Sequence, residues 1–556
     1  MTSRRDMLRH LTLTSLAVSP LGAALRAAQA IPVRPIRAYQ HRADLIIIGG
    51  GTGGCAAALA ACSRGLRVVM TEESAWIGGQ FTAQAVPPDE NKWIESIGGT
   101  RTYRQLRSAL RDHYRANPRL LDRARRNPRL NPGNGWVSRV CAEPRVWLAA
   151  IEAQLAPYLA SGQLRILPHT RAVAADVDRE VVRSVRVRQA DGSELLLEAP
   201  YVVDATELGE LSALCGAELV MGAESRAMTS EPHALEEAQP DNQQSFTVVF
   251  AMEYRPGEQH IIDRPADYAR WRRETVSVNG TAWPLLGFDE PANKLIGFDP
   301  DKRTGYWSYR RIIDHTLFTP GTHAGDVTLV NWWQNDYHHG PLVGVPQREA
   351  TAHVQAAGGL SLSLLYWLQT EAPRPDGGTG WPGLKLRPDI VGTDSGLAMT
   401  PYIRESRRLL TRRTVREQDV LRSLLPSGTE TTAFADSVGI GHYAMDLHRT
   451  TRGDSGGYGD TVPFQIPLGA LIPVRLRNLL PACKNFGVTH LTNGCYRLHP
   501  IEWNVGEAVG HLVTHALATR RTPEAIHANS THTADYQREL QQAGMLLAWP
   551  TPLPAE

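Results

Sequence analysis

Five side chains in the C-terminal half of this 556-residue sequence stand out as candidates to move protons or hold negative charge. His442, His490 and His499 are imidazoles, the ordinary proton acceptors near neutral pH. Arg404 and Arg497 carry guanidinium groups suited to a carboxylate or a developing oxyanion. These are the candidate catalytic residues. Each histidine also has a structural alternative, and Arg404 has a solvated one beside a Glu405–Arg408 helix pair.

A second set is spaced for binding. Gly49, Gly51 and Gly54 form a G-x-G-x-x-G string with Thr52 and Gly53 inside it, and Glu72 follows about 20 residues on. The first glycine permits a tight turn, the second lets a pyrophosphate reach the backbone, and the third lets a helix pack closely on a strand. The N–H groups at that helix start favour phosphate. Glu72, with Glu73 as its alternative, is placed to accept from ribose hydroxyls.

The elements around these residues fit that use. Asp44–Ile48 reads as a buried parallel strand, Cys55–Ser63 as a helix, and Arg67–Thr71 as the next strand. The same fingerprint serves NAD and FAD, and three further segments favour FAD. The glycine pair Gly78-Gly79, with Gln80 after it, follows soon after the ribose acid. A helix near Pro144–Leu159, a strand at Leu164–Leu167 and three β segments between Arg171 and Glu198 lead to Tyr201–Asp204 with Ala205 and Thr206. Asn478–Asn485 is followed by Asn504–Gly510, read as opening a helix whose Gly506 and Glu507 face a flavin.

Together these residues resemble bacterial FAD-dependent oxidoreductases of the glutathione-reductase-type FAD-binding fold, some of them exported. The carrying motifs are Gly49–Gly54, Asp204–Glu210, Ile403–Arg408, and Thr489-His490 through Tyr496–Pro500. The resemblance implies a fold and a flavin without fixing a substrate. Many relatives have glycine where Cys483 stands, which raises crowding or attachment of the flavin beside the simpler reading of a small core side chain.

The expected fold class is α/β: a Rossmann-type FAD-binding domain with a β-meander insertion, plus an inserted α+β substrate domain. Residues 42–235 form the first part of the FAD domain, 236–385 the substrate or cap domain, 386–525 the part completing the FAD site, and 526–556 a C-terminal tail. The aromatic runs Phe246–Phe250, Tyr306–Tyr309 and Val327–Trp333 read as strand-like parts of the cap. Asn331–His339 is dense in aromatic and hydrogen-bonding groups, suiting a substrate pocket or a buried sheet alike.

The first thirty residues read as a twin-arginine export signal. Arg4 and Arg5 precede a mildly apolar run from Leu11 to Leu25, and Ala28-Gln29-Ala30 is a cleavage site of the A-x-A kind. This predicts the twin-arginine machinery as a partner and a periplasmic or secreted product without a stable membrane anchor. Removing that segment turns the formal charge of +2 slightly negative, so no global field points to nucleic acid. The arginine-rich stretch Arg111–Arg129 reads as a solvated helical face and turn.

Six cysteines form no metal-type pair, and the sequence predicts no metal site. Cys483 and Cys495 are near enough in sequence for a bridge, though buried free thiols are the other reading. No second G-x-G-x-x-G follows a strand. The expected reaction is therefore hydride transfer between a small organic substrate and flavin N5, with reoxidation by oxygen, a quinone or a redox protein. The alternatives are a flavin monooxygenase using an external reductant, or an FAD electron-transfer protein with no substrate of its own.

Overall fold

Leu45-Ile46-Ile47-Ile48 is apolar on both faces, so it is stable only where both faces are covered. The computed structural model describes residues 41–555 other than 279, 290–293, 295 and 455, and the export-signal reading falls outside them. In it the strand β1 (Leu45–Ile48) leads into α1 (Thr52–Ser63) and back to β2 (Val68–Thr71). Helices α2 (Arg101–Ala116) and α3 (Pro144–Ala160) precede β3 (Leu164–Leu167). An antiparallel meander follows, β4 (Thr170–Asp178), β5 (Val181–Gln189) and β6 (Glu194–Glu198), and β7 (Tyr201–Asp204) returns to the parallel sheet.

The middle of the chain builds its own core. Strands β8 (Phe250–Tyr254), β9 (Arg311–Ile313), β10 (Val327–Val330) and β11 (Leu384–Leu386) form a second sheet in the order β9-β10-β8-β11. Its neighbour is α4 (Gln347–Thr370), and the indole rings of Trp271, Trp307, Trp332 and Trp381 are buried there. Tyr306–Tyr309 is a helical turn rather than a strand, because Phe298 and Trp332 pack around it and pairing with β10 begins only at Arg311.

The C-terminal part supplies β12 (Met445–Leu447) and β13 (Gly457–Gly459), a hairpin, then β14 (Leu479–Pro481). Short α5 (His490–Tyr496) and long α6 (His499–Thr519) follow, and α7 (Ser530–Gln542) closes the chain. The parallel sheet runs β14-β7-β1-β2-β3. Thus a strand more than 400 residues after β1 completes the same sheet. Residues of the expected tail are tied in as well: Tyr536 is buried and donates to the Ala508 carbonyl at 2.6 Å.

Glycine sets how closely α1 and α6 cross. A Cβ on Gly53 would stand 1.7 Å from the Ala482 carbonyl oxygen, and one on Gly506 would stand 2.0 Å from that of Gly53. Gly506 and Glu507 therefore do not open a helix. Pro500 supplies the fixed φ suited to a first turn, so α6 starts at His499, and Glu507 lies two turns in, accepting from Thr102 at 2.7 Å.

Two other local expectations change. Arg111 is buried rather than solvated, because Glu95 pairs with both it and Arg107 at 2.6 and 2.7 Å. Residues 403–409 are extended: Arg408–Leu409 pairs with Leu219–Val220, and Glu405 still meets Arg408 at 2.5 Å without a helix. All six cysteines are buried and free, so Cys483 and Cys495 are not bridged.

Candidate functional site

The turn between β1 and α1 is made by backbone. Gly49 has φ +103°, a conformation that favours glycine, and the Cβ of any other residue would meet the Ala205 carbonyl at 2.2 Å. A Cβ on Gly54 would stand 2.1 Å from the Gly49 oxygen, which is the close helix–strand contact the spacing predicts. α1 has neither a side-chain cap nor an acid in its first turn, so its first N–H groups are left for other acceptors.

Carboxylates gather at that helix start. Glu502, from the first turn of α6, accepts from Gly53 N–H at 3.2 Å. Its other oxygen takes the Gln80 amide and Lys484 Nζ, the latter at 3.2 Å. Lys484 also reaches Glu207 at 2.5 Å. The remaining Glu207 oxygen has no hydrogen-bond partner among the described residues and lies against Gly51 and Gly79. Burial pushes the Glu502 carboxyl up against the pull of Lys484, and Glu207 adds repulsion. The anion-favouring position is thus lined by acids, which sequence reading did not assign.

The other predicted binding residues surround this turn. Thr52 Oγ1 donates to the Gly78 carbonyl at 3.0 Å, and Gly78 N–H donates to Gly50 at 2.7 Å, so the second glycine loop is clamped onto the first. Glu72, at the end of β2, accepts from Gly50 N–H at 3.0 Å and Ser74 N–H at 2.7 Å, and burial raises its proton affinity. Glu73 is exposed. Asp204 accepts from Thr206 and Ser212, and Asn485 donates to the Asp204 carbonyl at 3.0 Å; these residues shape the strand ends around Ala205.

Beyond Gly79 the chain carries buried polar atoms with nothing to bind. Among the described residues, Gln80 Oε1, both amide atoms of Gln84, and His499 Nδ1 have no hydrogen-bond partner. Gln84 is 1% exposed, so its amide is costly to leave unpaired. Such a run beside a glycine turn is what a bound dinucleotide's polar ring system would satisfy.

Arg404 and Arg497 are brought together in a ring of charge. Arg404 meets Asp336 at 2.9 Å, and Asp336 meets His448 Nδ1 at 2.6 Å. His448 Nε2 lies 3.3 Å from Asp446, which lies 3.5 Å from Arg497. Arg497 then donates to the Tyr402 hydroxyl at 3.0 Å, and the Tyr402 ring lies under Arg404 at 5.2 Å. Burial works against ionising Asp336 and Asp446, yet Arg404 and the hydrogen-bonded His448 for one, and His448 and Arg497 for the other, hold both below the usual carboxylate range. Desolvating this many charges has a cost that packing alone does not require, and such clusters mark functional sites.

The three predicted histidines lie elsewhere. His490 opens α5 and faces Glu405 at 2.9 Å; burial opposes its charge, but the carboxylate prevails and its proton affinity is raised. His499 is buried beside Phe81 with Nε2 on the Val86 carbonyl at 3.2 Å, and burial with Arg310 and Lys484 nearby drives it well below the usual imidazole range. His442 packs edge-on to Trp93 and is lowered to about 4 by burial and Lys92.

His448, Asp336 and Asp446 were missed as site residues. The alternation Met445-Asp446-Leu447-His448, apolar then polar, was the available signal, and Asp336 sat within the run Asn331–His339.

Comparison with known proteins fits the geometry. A family model for FAD-dependent oxidoreductases matches residues 44–541. No curated protein matches the chain. Among solved structures, the OxyS anhydrotetracycline hydroxylase from Streptomyces rimosus is 13% identical over 90% of this chain and 66% of its own, with TM-score 0.33. A geranylgeranyl bacteriochlorophyll reductase-like protein from Thermoplasma acidophilum is 11% identical over 91% and 85%, with TM-score 0.29. The L-proline dehydrogenase from P. horikoshii is 18% identical over 33% of this chain, with TM-score 0.17, and only 24% of its own length is spanned. Likeness this low identifies no shared substrate. The glycine turn, its parallel sheet and the unsatisfied amides beside it fit the cofactor named by the family: this chain belongs to the FAD-dependent oxidoreductases, and FAD is its cofactor.

Proposed function

We propose that the protein is a dehydrogenase or oxidase of a small organic molecule, with the charged ring around His448 at the reacting end of its cofactor. One connection carries this reading. Gln80, beside the glycine loop that closes on Gly50, donates to the Arg497 carbonyl at 3.1 Å, and Arg497 belongs to the ring. Bound FAD supplies the two-electron chemistry at N5. The chain's own residues supply the proton chemistry. Arg404 keeps Asp336 ionised, and Asp336 fixes His448 through Nδ1. The longer 3.3 Å contact from Nε2 to Asp446 is the weaker of the two, so Nε2 is the atom that turns from Asp446 to the substrate's heteroatom. Trp333, 5.8 Å from the His448 ring, provides an apolar wall.

The strand order with its meander supports the glutathione-reductase-type arrangement, with a cap over residues 236–385. The Arg4-Arg5 segment and Ala28-Gln29-Ala30 support twin-arginine export with cleavage after Ala30. Replacing Arg4 and Arg5 by lysine then retains the protein in the cytoplasm by fractionation; unchanged export contradicts it.

The test of function is anaerobic. Purified mature protein is mixed with candidate substrates, and the flavin band is followed without NAD(P)H. Bleaching by a small molecule is expected. Bleaching only by NAD(P)H favours the monooxygenase, and bleaching only by a redox protein favours an electron-transfer role.

A further inference from the structure

Strand β12 divides two spaces. Asp446 and His448 project to the charged ring, and alternation sends Met445 and Leu447 to the opposite face. There they line a cavity of about 670 Å³, within the range of small-molecule sites. Leu235, Leu421 and Leu491 complete an apolar wall, and the β12–β13 hairpin brings Tyr458, 78% exposed, to its rim.

At the polar end stands His490. Its Nδ1 is taken by Glu405, which is itself held by Arg408 at 2.5 Å and by Gln244 N–H at 3.0 Å. The imidazole is thereby oriented and its proton affinity raised; among the described residues no hydrogen bond to Nε2 is made, and His490 lines the cavity. The walls offer an anion little, because Glu224, Glu231, Glu417, Asp454 and Asp460 outnumber Arg422, His233 and His490, and Arg422 and His233 are already taken by Asp460 and Glu417. At the inner end the imidazole held by Glu405, its proton affinity raised by that carboxylate, disfavours an ammonium group. What remains is a neutral molecule with an apolar body and a hydrogen-bond-accepting oxygen.

We propose that this cavity is a binding site for a neutral ring carbonyl compound of the quinone class, one ring oxygen accepting from His490 Nε2. A quinone is among the acceptors expected to reoxidise the flavin, so the site deepens the function proposed above and, as an acceptor site, rests on it. Binding is measured apart from turnover, and each reading is therefore able to fail alone.

The experiment titrates FAD-loaded protein with 2-methyl-1,4-naphthoquinone by calorimetry, with benzylamine and benzoate as a cation and an anion of similar ring type. Saturable quinone binding is expected, at least about tenfold tighter than either control. His490→Gln weakens it about tenfold, the scale of one charged hydrogen bond. Leu491→Trp and Ala234→Leu, which fill the cavity, weaken it at least as much while the flavin spectrum is retained. No saturable quinone binding, tighter binding of either control, or quinone binding unchanged in Leu491→Trp overturns the site. Failure to bleach the flavin in the anaerobic test, with quinone binding intact, instead overturns the proposed function.

Discussion

The glycine turn and the charged ring are joined through Gln80 and the Arg497 carbonyl but are made from different parts of the chain. The turn is backbone: six consecutive residues, Gly49 to Gly54, set a left-handed bend and a helix start, and nearby side chains only border it. The ring is side chain: Asp336, Tyr402, Arg404, Asp446, His448 and Arg497 come from separated segments and meet through ion pairs and one hydroxyl. A backbone site tolerates changes around it and fails when a Cβ is added. A side-chain site fails when one functional group is removed.

The sharpest break comes from the ring. His448→Asn removes the proton-holding imidazole while keeping a polar side chain, and flavin reduction by substrate falls about 10²- to 10⁴-fold with FAD still bound. Stopped-flow absorbance under argon measures it; an unchanged rate detaches the ring from the chemistry. Gly53→Ala breaks the other side. Its Cβ would meet backbone 1.7 Å away, so overpacking costs about 1–3 kcal/mol and the protein purifies with less FAD. Denaturant midpoints and the flavin-to-protein absorbance ratio check this.

A smaller effect sharpens the contrast. Glu207 presents an unpartnered carboxylate oxygen to Gly51 and Gly79, where it opposes a diphosphate. Glu207→Ala tightens FAD binding about tenfold, near 1.4 kcal/mol, in a fluorescence titration of apoprotein. Weaker binding would make Glu207 a ligand of the cofactor rather than its competitor.

A further test lies away from both regions. His442 is lowered to about 4, so from pH 6.5 downward the unfolded chain takes up a proton that the folded chain refuses. Stability falls until about pH 4, below which both states are protonated. His442→Gln removes this part of the acid sensitivity, and melting temperatures at pH 7 and pH 4.5 compare the two proteins.

This contrast also explains what the sequence made legible. The turn was readable because its geometry is local: a strand, a glycine spacing and an acid within one β–α–β unit dictate the backbone. The meander was readable for the same reason, from alternation within short segments. The ring was half readable. Arg404 and Arg497 were singled out by charge, but His448 was passed over for His442, His490 and His499, since nothing local says which imidazole two distant aspartates will grip. Helix α6 was placed late because Gly506 looked like a helix start, when its missing side chain serves the crossing with α1. Glu207, Lys484 and Glu502 meet only after β7, β14 and α6 assemble.

A crystal structure of the FAD-loaded protein tests most directly whether turn and ring form one site. The account predicts the diphosphate against Gly49–Gly51, the ring system paired with the amide of Gln84, and the His448 imidazole open toward it. A flavin ring directed away from His448, with Gln84 still unpaired, would contradict it.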